Sequence, residues 1–159
     1  MEFETEARAT LAALAATGRM AATVESCTGG MVAAALTSIP GSSAVVERGF
    51  VTYSNEAKTE LVGVPPALIE KFGAVSPEVA QAMAEGGLAQ SRADIVVAIT
   101  GVAGPGGSEQ KPEGLVCFHA LRRGGPAEAR RLEYGPIGRS AVRAAAVREA
   151  LTMIRAVNQ

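Results

Sequence analysis

Apolar positions Leu11, Leu14 and Ala15 recur at helical spacing between Glu4 and Thr17, and Gly18 follows as a C-cap, so the chain is expected to open with a helix. Met20 to Val24 is a short apolar run that predicts a buried strand, and Met31 to Leu36 is a good helix body. Between them Ser26, Cys27, Thr28, Gly29 and Gly30 are small enough for a sharp turn from strand into helix, the helix running from Gly29 or Gly30 to about Ser38. Ile39-Pro40-Gly41-Ser42-Ser43 breaks it, and Ala44 to Tyr53 reads as the second strand. Ser54 or Asn55 caps a short helix through Leu61 or Val62, and Pro65-Pro66 begins another that ends at Gly73. Ser76-Pro77-Glu78 is a helix start with a hydroxyl cap, proline at the first position and an acid in the first turn. That helix carries Val79, Met83 and Leu88 to about Ser91.

The third strand, Ile95 to Thr100, is apolar almost throughout and runs into a second glycine-rich loop, Gly101 to Gly107, that continues to Gly114. Leu115 to Arg122 and the more polar Ala127 to Tyr134 are strands joined by a tight turn, so they pair antiparallel. Arg139 to Val157 is the closing helix. The order of elements predicts a single domain over residues 1–159, a three-layer α/β/α sandwich on a mixed, mostly parallel five-stranded sheet.

Composition narrows the functional classes. The chain has 159 residues, 48% of them hydrophobic and 19% charged, which suits one well-packed core rather than disorder. A net charge of −1 argues against nucleic-acid or membrane binding driven by bulk electrostatics. Arginines cluster from Arg122 onward, but no aromatic residues interleave with them to stack bases. Cys27, Cys117 and the single His119 have no metal-ligand spacing, so neither a metal nor any other cofactor is expected. The acidic start, Met1 to Glu6, does not resemble a signal or transit peptide, and a reduced, cytoplasmic setting is expected.

Chemistry is expected at the two glycine-rich loops, because ligands of such folds bind at the carboxyl ends of the strands. Neither loop is a nucleotide fingerprint: the second lacks the Gly-Lys-Ser/Thr ending of a P-loop and does not fit Gly-x-Gly-x-x-Gly. At the first turn the opening N–H groups of the helix are expected to point outward, unpaired, where they stabilise an anion or a developing oxyanion. Ser26 and Cys27 stand at that mouth, and either chemistry or simple capping by Ser26 or Thr28 accounts for their type. Lys58 falls in the first turn of its helix, where the dipole disfavours a cation. It is either an exposed surface lysine or, turned inward, an amine whose basicity burial has lowered to that of a general base. Tyr53 lies at the same edge. His119, mid-strand between Cys117 and Leu121, is expected to be a packed residue, which leaves Ser26 and Lys58 as the simplest nucleophile and base.

Four segments together, Glu25 to Gly30, Tyr53 to Lys58, Gly73 to Ser76 and Thr100 to Gly107, resemble the CinA C-terminal domain, the nicotinamide-nucleotide amidase family, in order and across nearly the whole chain. The resemblance implies hydrolysis of the carboxamide of nicotinamide mononucleotide to nicotinic acid mononucleotide and ammonia, without a metal. It implies Ser26 as nucleophile and Lys58 as its base, with Tyr53 and Thr100 orienting the lysine or holding the substrate. Thr28, Gly29, Gly30, Thr100, Gly101 and Arg139 are the implied substrate contacts; Arg139 is the best match for a phosphate ligand, with Arg143 one turn further on. Longer members carry an additional N-terminal domain, whose function is put aside. Two rival readings stand beside this one: Cys27 as nucleophile, and a non-catalytic nucleotide-binding or regulatory module. The expected partner is a small-molecule nucleotide, with self-association through the polar edge strands.

Overall fold

The computed structural model describes residues 2–108 and 110–159; Met1, in the acidic start, and Glu109, in the second glycine-rich loop, lie outside the described residues. Its helices are α1 (Glu4–Thr17), α2 (Met31–Thr37), α3 (Asn55–Val62), α4 (Pro66–Phe72), α5 (Pro77–Ala89) and α6 (Arg139–Asn158). The strands are β1 (Ala21–Glu25), β2 (Val46–Val51), β3 (Ile95–Gly101), β4 (Leu115–Arg122) and β5 (Ala127–Glu133).

The five strands form one sheet in the order β2-β1-β3-β4-β5. β1 pairs parallel with both β2 and β3, while β4 runs antiparallel to β3 and to β5. Four strands therefore share a direction and β4 opposes them, the mixed sheet that the tight turn before Ala127 requires. Side chains alternate between the two faces of the sheet. Ile95, Val97 and Ile99 meet α1, α2 and α6 on one side, and Val96 and Ala98 meet α3, α4 and α5 on the other. β3 is thus covered on both faces. Each large aliphatic side chain buried there contributes about 1.5–3 kcal/mol, which explains why the strand carries no polar side chain until Thr100 at its end.

Local sequence fixes the helix ends. Gly18 takes φ 69° behind α1, as the C-cap expectation requires. The hydroxyls of Ser54 and Ser76 accept the N–H groups of Ala57 and Val79 and start α3 and α5. Gly86 and Gly87 let α5 lie unusually close to its neighbours, since an added Cβ would stand on the Val62 carbonyl in one case and on Val24 in the other.

The second strand is shorter than its apolar pattern predicts. Ser42–Ala44 form a 3-10 turn, and β2 spans Val46–Val51 only. As an edge strand it leaves Thr52 and Tyr53 outside the ladder, and this release lets both carbonyls turn toward Lys58.

Candidate active site

The parallel register Glu25↔Ile99 sets the ends of β1 and β3 side by side. The Ser26 N–H then donates to the Ile99 carbonyl at 2.9 Å, which locks the first glycine-rich turn against the start of the second. The Thr52 N–H donates to the Glu25 carbonyl at 2.9 Å and brings the end of β2 to the same place. Three strand ends therefore converge, and between them lies a cavity of about 330 Å³. Ser26, Lys58, Tyr53, Thr100, Gly101 and Arg139 all line it.

Lys58 is 1% exposed although it belongs to the first turn of its helix, so its side chain turns inward rather than lying on the surface. Its Nζ lies 3.1 Å from Ser26 Oγ, 2.9 Å from the Thr52 carbonyl and 3.3 Å from the Tyr53 carbonyl. A neutral amine has two hydrogens and one lone pair. With two carbonyls accepting its hydrogens, such an amine can take the Ser26 proton on its lone pair, whereas a charged amine would donate to all three oxygens. Ser26 is 8% exposed and lines the cavity.

Tyr53 acts differently from its expectation. Its main-chain carbonyl touches the lysine, while its side chain is 61% exposed and its hydroxyl accepts from Arg139 Nη2 at 3.1 Å. Arg139 also donates through Nη1 to the Gly104 carbonyl at 2.7 Å, so it bridges the rim from the second glycine loop to Tyr53. Thr100 lines the cavity, but its hydroxyl donates to the Ala74 carbonyl at 2.8 Å rather than orienting Lys58. A Cβ on Gly101 would press on Val116, the Leu115 carbonyl and the Cys27 sulfur, so a glycine lets this strand end pass close to the first turn.

The first turn corrects the sequence reading in two respects. The opening N–H groups of α2 are not unpaired: the carboxylate of Glu25, fully buried, accepts from Val32 N–H at 2.9 Å and Ala33 N–H at 3.1 Å. It also accepts the Thr28 hydroxyl at 2.6 Å. Glu25, not Ser26 or Thr28, caps the helix, and it already neutralises the positive end of the dipole. As a result Thr28, Gly29 and Gly30 do not line the cavity: Thr28 is spent on the carboxylate, and Gly29 and Gly30 turn at φ 59° and φ 103° into a helix that begins on the far side. Arg143 is likewise turned inward, donating to the carbonyls of Cys27 at 3.1 Å and Thr28 at 3.4 Å.

The N–H groups of Cys27 and Thr28 have no acceptor among the described residues, and they are the donors left in this turn. Cys27 lines the cavity, but burial pushes its thiol up to about 12, helped by the nearby Glu25 carboxylate. A thiol so disfavoured as thiolate is a poor nucleophile. Among the described residues the lining contains no Asp or Glu, and the Arg139 guanidinium at the rim is a fixed cation, so this part of the cavity suits an anionic group. Asn55, which spacing did not single out, also lines it; the Thr52 and Tyr53 groups that touch the lysine are main-chain carbonyls, which carry no residue-type signal.

His119 is packed in the sheet as expected; burial holds its imidazole below the ordinary histidine range. Among the described residues, no helix is long and apolar enough to cross a membrane.

Residues 4–158 match the family model described as the CinA C-terminal domain. The chain is 55% identical over 138 residues to a CinA-like protein of Mycobacterium marinum, covering 86% of this chain and 32% of that one. It is 55% identical over 112 residues to a putative competence-damage inducible protein of Symbiobacterium thermophilum, covering 70% of this chain and 26% of the relative. The chain thus spans about a quarter to a third of the length of these curated relatives. Among solved structures, the competence/damage inducible protein CihA from Agrobacterium tumefaciens superposes with a TM-score of 0.96 at 49% identity, covering 100% of this chain and 97% of that one. A CinA superfamily protein from Klebsiella pneumoniae gives 0.91 at 37% identity, covering 96% and 95%. On its sequence, its fold and nearly its whole length, the chain belongs to the CinA C-terminal domain family.

Proposed function

We propose that the cavity hydrolyses the carboxamide of nicotinamide mononucleotide, giving nicotinic acid mononucleotide and ammonia, with Ser26 as nucleophile and Lys58 as general base. The observation that carries this reading is the 3.1 Å approach of a buried amine to a serine hydroxyl at a cavity floor. Nζ takes the Ser26 proton as Oγ adds to the amide carbon, and the carbonyl electron pair moves onto oxygen. The Cys27 N–H, on a residue that lines the cavity, receives that oxyanion, a contribution of roughly 3–4 kcal/mol for a well-placed donor. The tetrahedral intermediate collapses, the carbon–nitrogen bond breaks, and the lysine proton leaves with ammonia. Water then hydrolyses the acyl-serine, again losing its proton to Nζ.

The volume of about 330 Å³ lies at the small end of ligand sites, roughly 300–1,000 Å³, and suits a mononucleotide better than a dinucleotide. Arg139 at the rim is the phosphate contact in this reading, exchanging its bond to the Tyr53 hydroxyl for one to the phosphate. The observation favouring a non-catalytic binding module is that all three groups around Nζ bear oxygen acceptors, which also suit an ammonium that is no base.

Ammonia release from nicotinamide mononucleotide by the purified chain, run beside calorimetry with the same nucleotide, separates the two. Turnover supports the amidase; saturable heat of binding without ammonia supports the module and removes the hydrolytic reading.

A further inference from the structure

We propose that Arg143 is a positioning residue for the Ser26 turn, holding Cys27, whose N–H is the oxyanion donor at the cavity; this rests on the amidase reading above. Its guanidinium reaches from α6 across to the first turn, with Nε on the Cys27 carbonyl at 3.1 Å and Nη2 near the Thr28 carbonyl at 3.4 Å. A trans peptide is planar, with its N–H opposite its C=O. Fixing the Cys27 carbonyl toward Arg143 therefore sets the peptide plane on the C-terminal side of Cys27. The preceding plane is fixed separately, because the Ser26 carbonyl accepts the Gly29 N–H at 3.0 Å and the Cys27 N–H points the opposite way. With the planes on both sides of Cys27 held, its N–H, which has no acceptor among the described residues, keeps one direction at the cavity that Cys27 lines.

The turn is thus gripped from both sides, by the Glu25 carboxylate on its hydroxyl and helix N–H groups and by Arg143 on its carbonyls. Gly29 leaves room for the second grip. A Cβ there would lie 3.4 Å from Arg143 Nη2, and at φ 59° only glycine adopts the backbone readily. Arg143 does not line the cavity, whereas Arg139, one helical turn earlier, does. Neighbours on one helix face therefore divide the work: one arginine meets the ligand and the next shapes the turn beneath it. A lysine cannot substitute, because the fork geometry is what engages two successive carbonyls.

Steady-state kinetics of ammonia release test this on Arg143→Ala and Arg143→Lys, with thermal midpoints measured on each. The expected result is a kcat lowered roughly 100-fold in Arg143→Ala, the cost of misplacing an oxyanion donor, with KM within about twofold of the parent chain. Arg143→Lys stays close to Arg143→Ala, and low concentrations of free guanidinium restore part of the Arg143→Ala kcat. A KM raised tenfold or more at unchanged kcat makes Arg143 a substrate ligand and overturns the proposal. So does a kcat unchanged in both variants. If Arg143→Ala does not fold, the kcat of Arg143→Lys decides alone. An inactive parent chain defeats the amidase reading itself, an outcome distinct from all of these.

Discussion

Glu25→Gln removes one oxygen from a carboxylate that the fold has enclosed completely. In the parent chain Oε1 accepts from the Thr28 hydroxyl and Val32 N–H, and Oε2 accepts from Ala33 N–H. The best a glutamine can do is keep its oxygen at the Oε1 position and face its NH2 toward Ala33. The Ala33 N–H then loses its acceptor, at about 1–3 kcal/mol for a buried group left unsatisfied. Losing the negative charge at the start of α2 adds about 0.3–1 kcal/mol, and more where water is excluded. A total of about 2–4 kcal/mol, at roughly 2–4 °C per kcal/mol for a domain of this size, lowers the thermal midpoint by about 5–15 °C. Circular dichroism melts of the two proteins at one pH and concentration measure it. Because Glu25 adjoins Ser26, kcat is expected to fall as well in the folded variant. A midpoint within about 1 °C of the parent would refute the claim that this carboxylate holds the turn, since no glutamine rotamer satisfies all three donors.

Two further outcomes follow from the buried titratable groups. Cys27→Ala retains most of the ammonia-releasing activity, and the native thiol resists alkylation near pH 8, because burial pushes its pKa to about 12; loss of activity in the variant on the scale of Ser26→Ala would install the thiol as nucleophile. His119 is held below its ordinary value of 6.5 by burial, an effect that Glu85 partly opposes. The folded state therefore binds the proton less readily than the unfolded chain. The stability this provides is complete above pH 6.5 and is lost as pH falls below 6.5 through the folded value. Urea midpoints of His119→Leu relative to the parent should accordingly improve as pH drops below 6.5, and a difference independent of pH contradicts the assignment.

Sequence patterns expose what is local. The caps at Ser54 and Ser76 and the C-cap at Gly18 follow from residue types within one turn, and an apolar run such as Ile95 to Ile99 has few alternatives to a buried strand. The antiparallel β4–β5 pair follows from the length of its turn. What is not local is harder to read. Nothing in the first turn of α3 shows that Lys58 is buried, because the groups its amine meets come from Ser26, just beyond β1, and from the two residues released beyond β2. Residue type leaves α2 capping by the nearest hydroxyls, Ser26 or Thr28, open beside chemistry, yet the acceptor is seven and eight residues before the N–H groups it serves. One signal was available: a single carboxylate closing an otherwise buried strand needs partners, and a helix N-terminus immediately beyond supplies them. Tyr53 lines the cavity, but its contact to the lysine runs through the main chain, where side-chain type is silent.

The central claim is that an amine removed from water takes the proton of the hydroxyl 3.1 Å away. Ammonia release from nicotinamide mononucleotide by Ser26→Ala and Lys58→Met, both checked for folding, measures it most directly. The account predicts no detectable product from Ser26→Ala and a kcat about 10²–10⁴-fold lower in Lys58→Met, the usual contribution of a general base. Full turnover in either folded variant would contradict it.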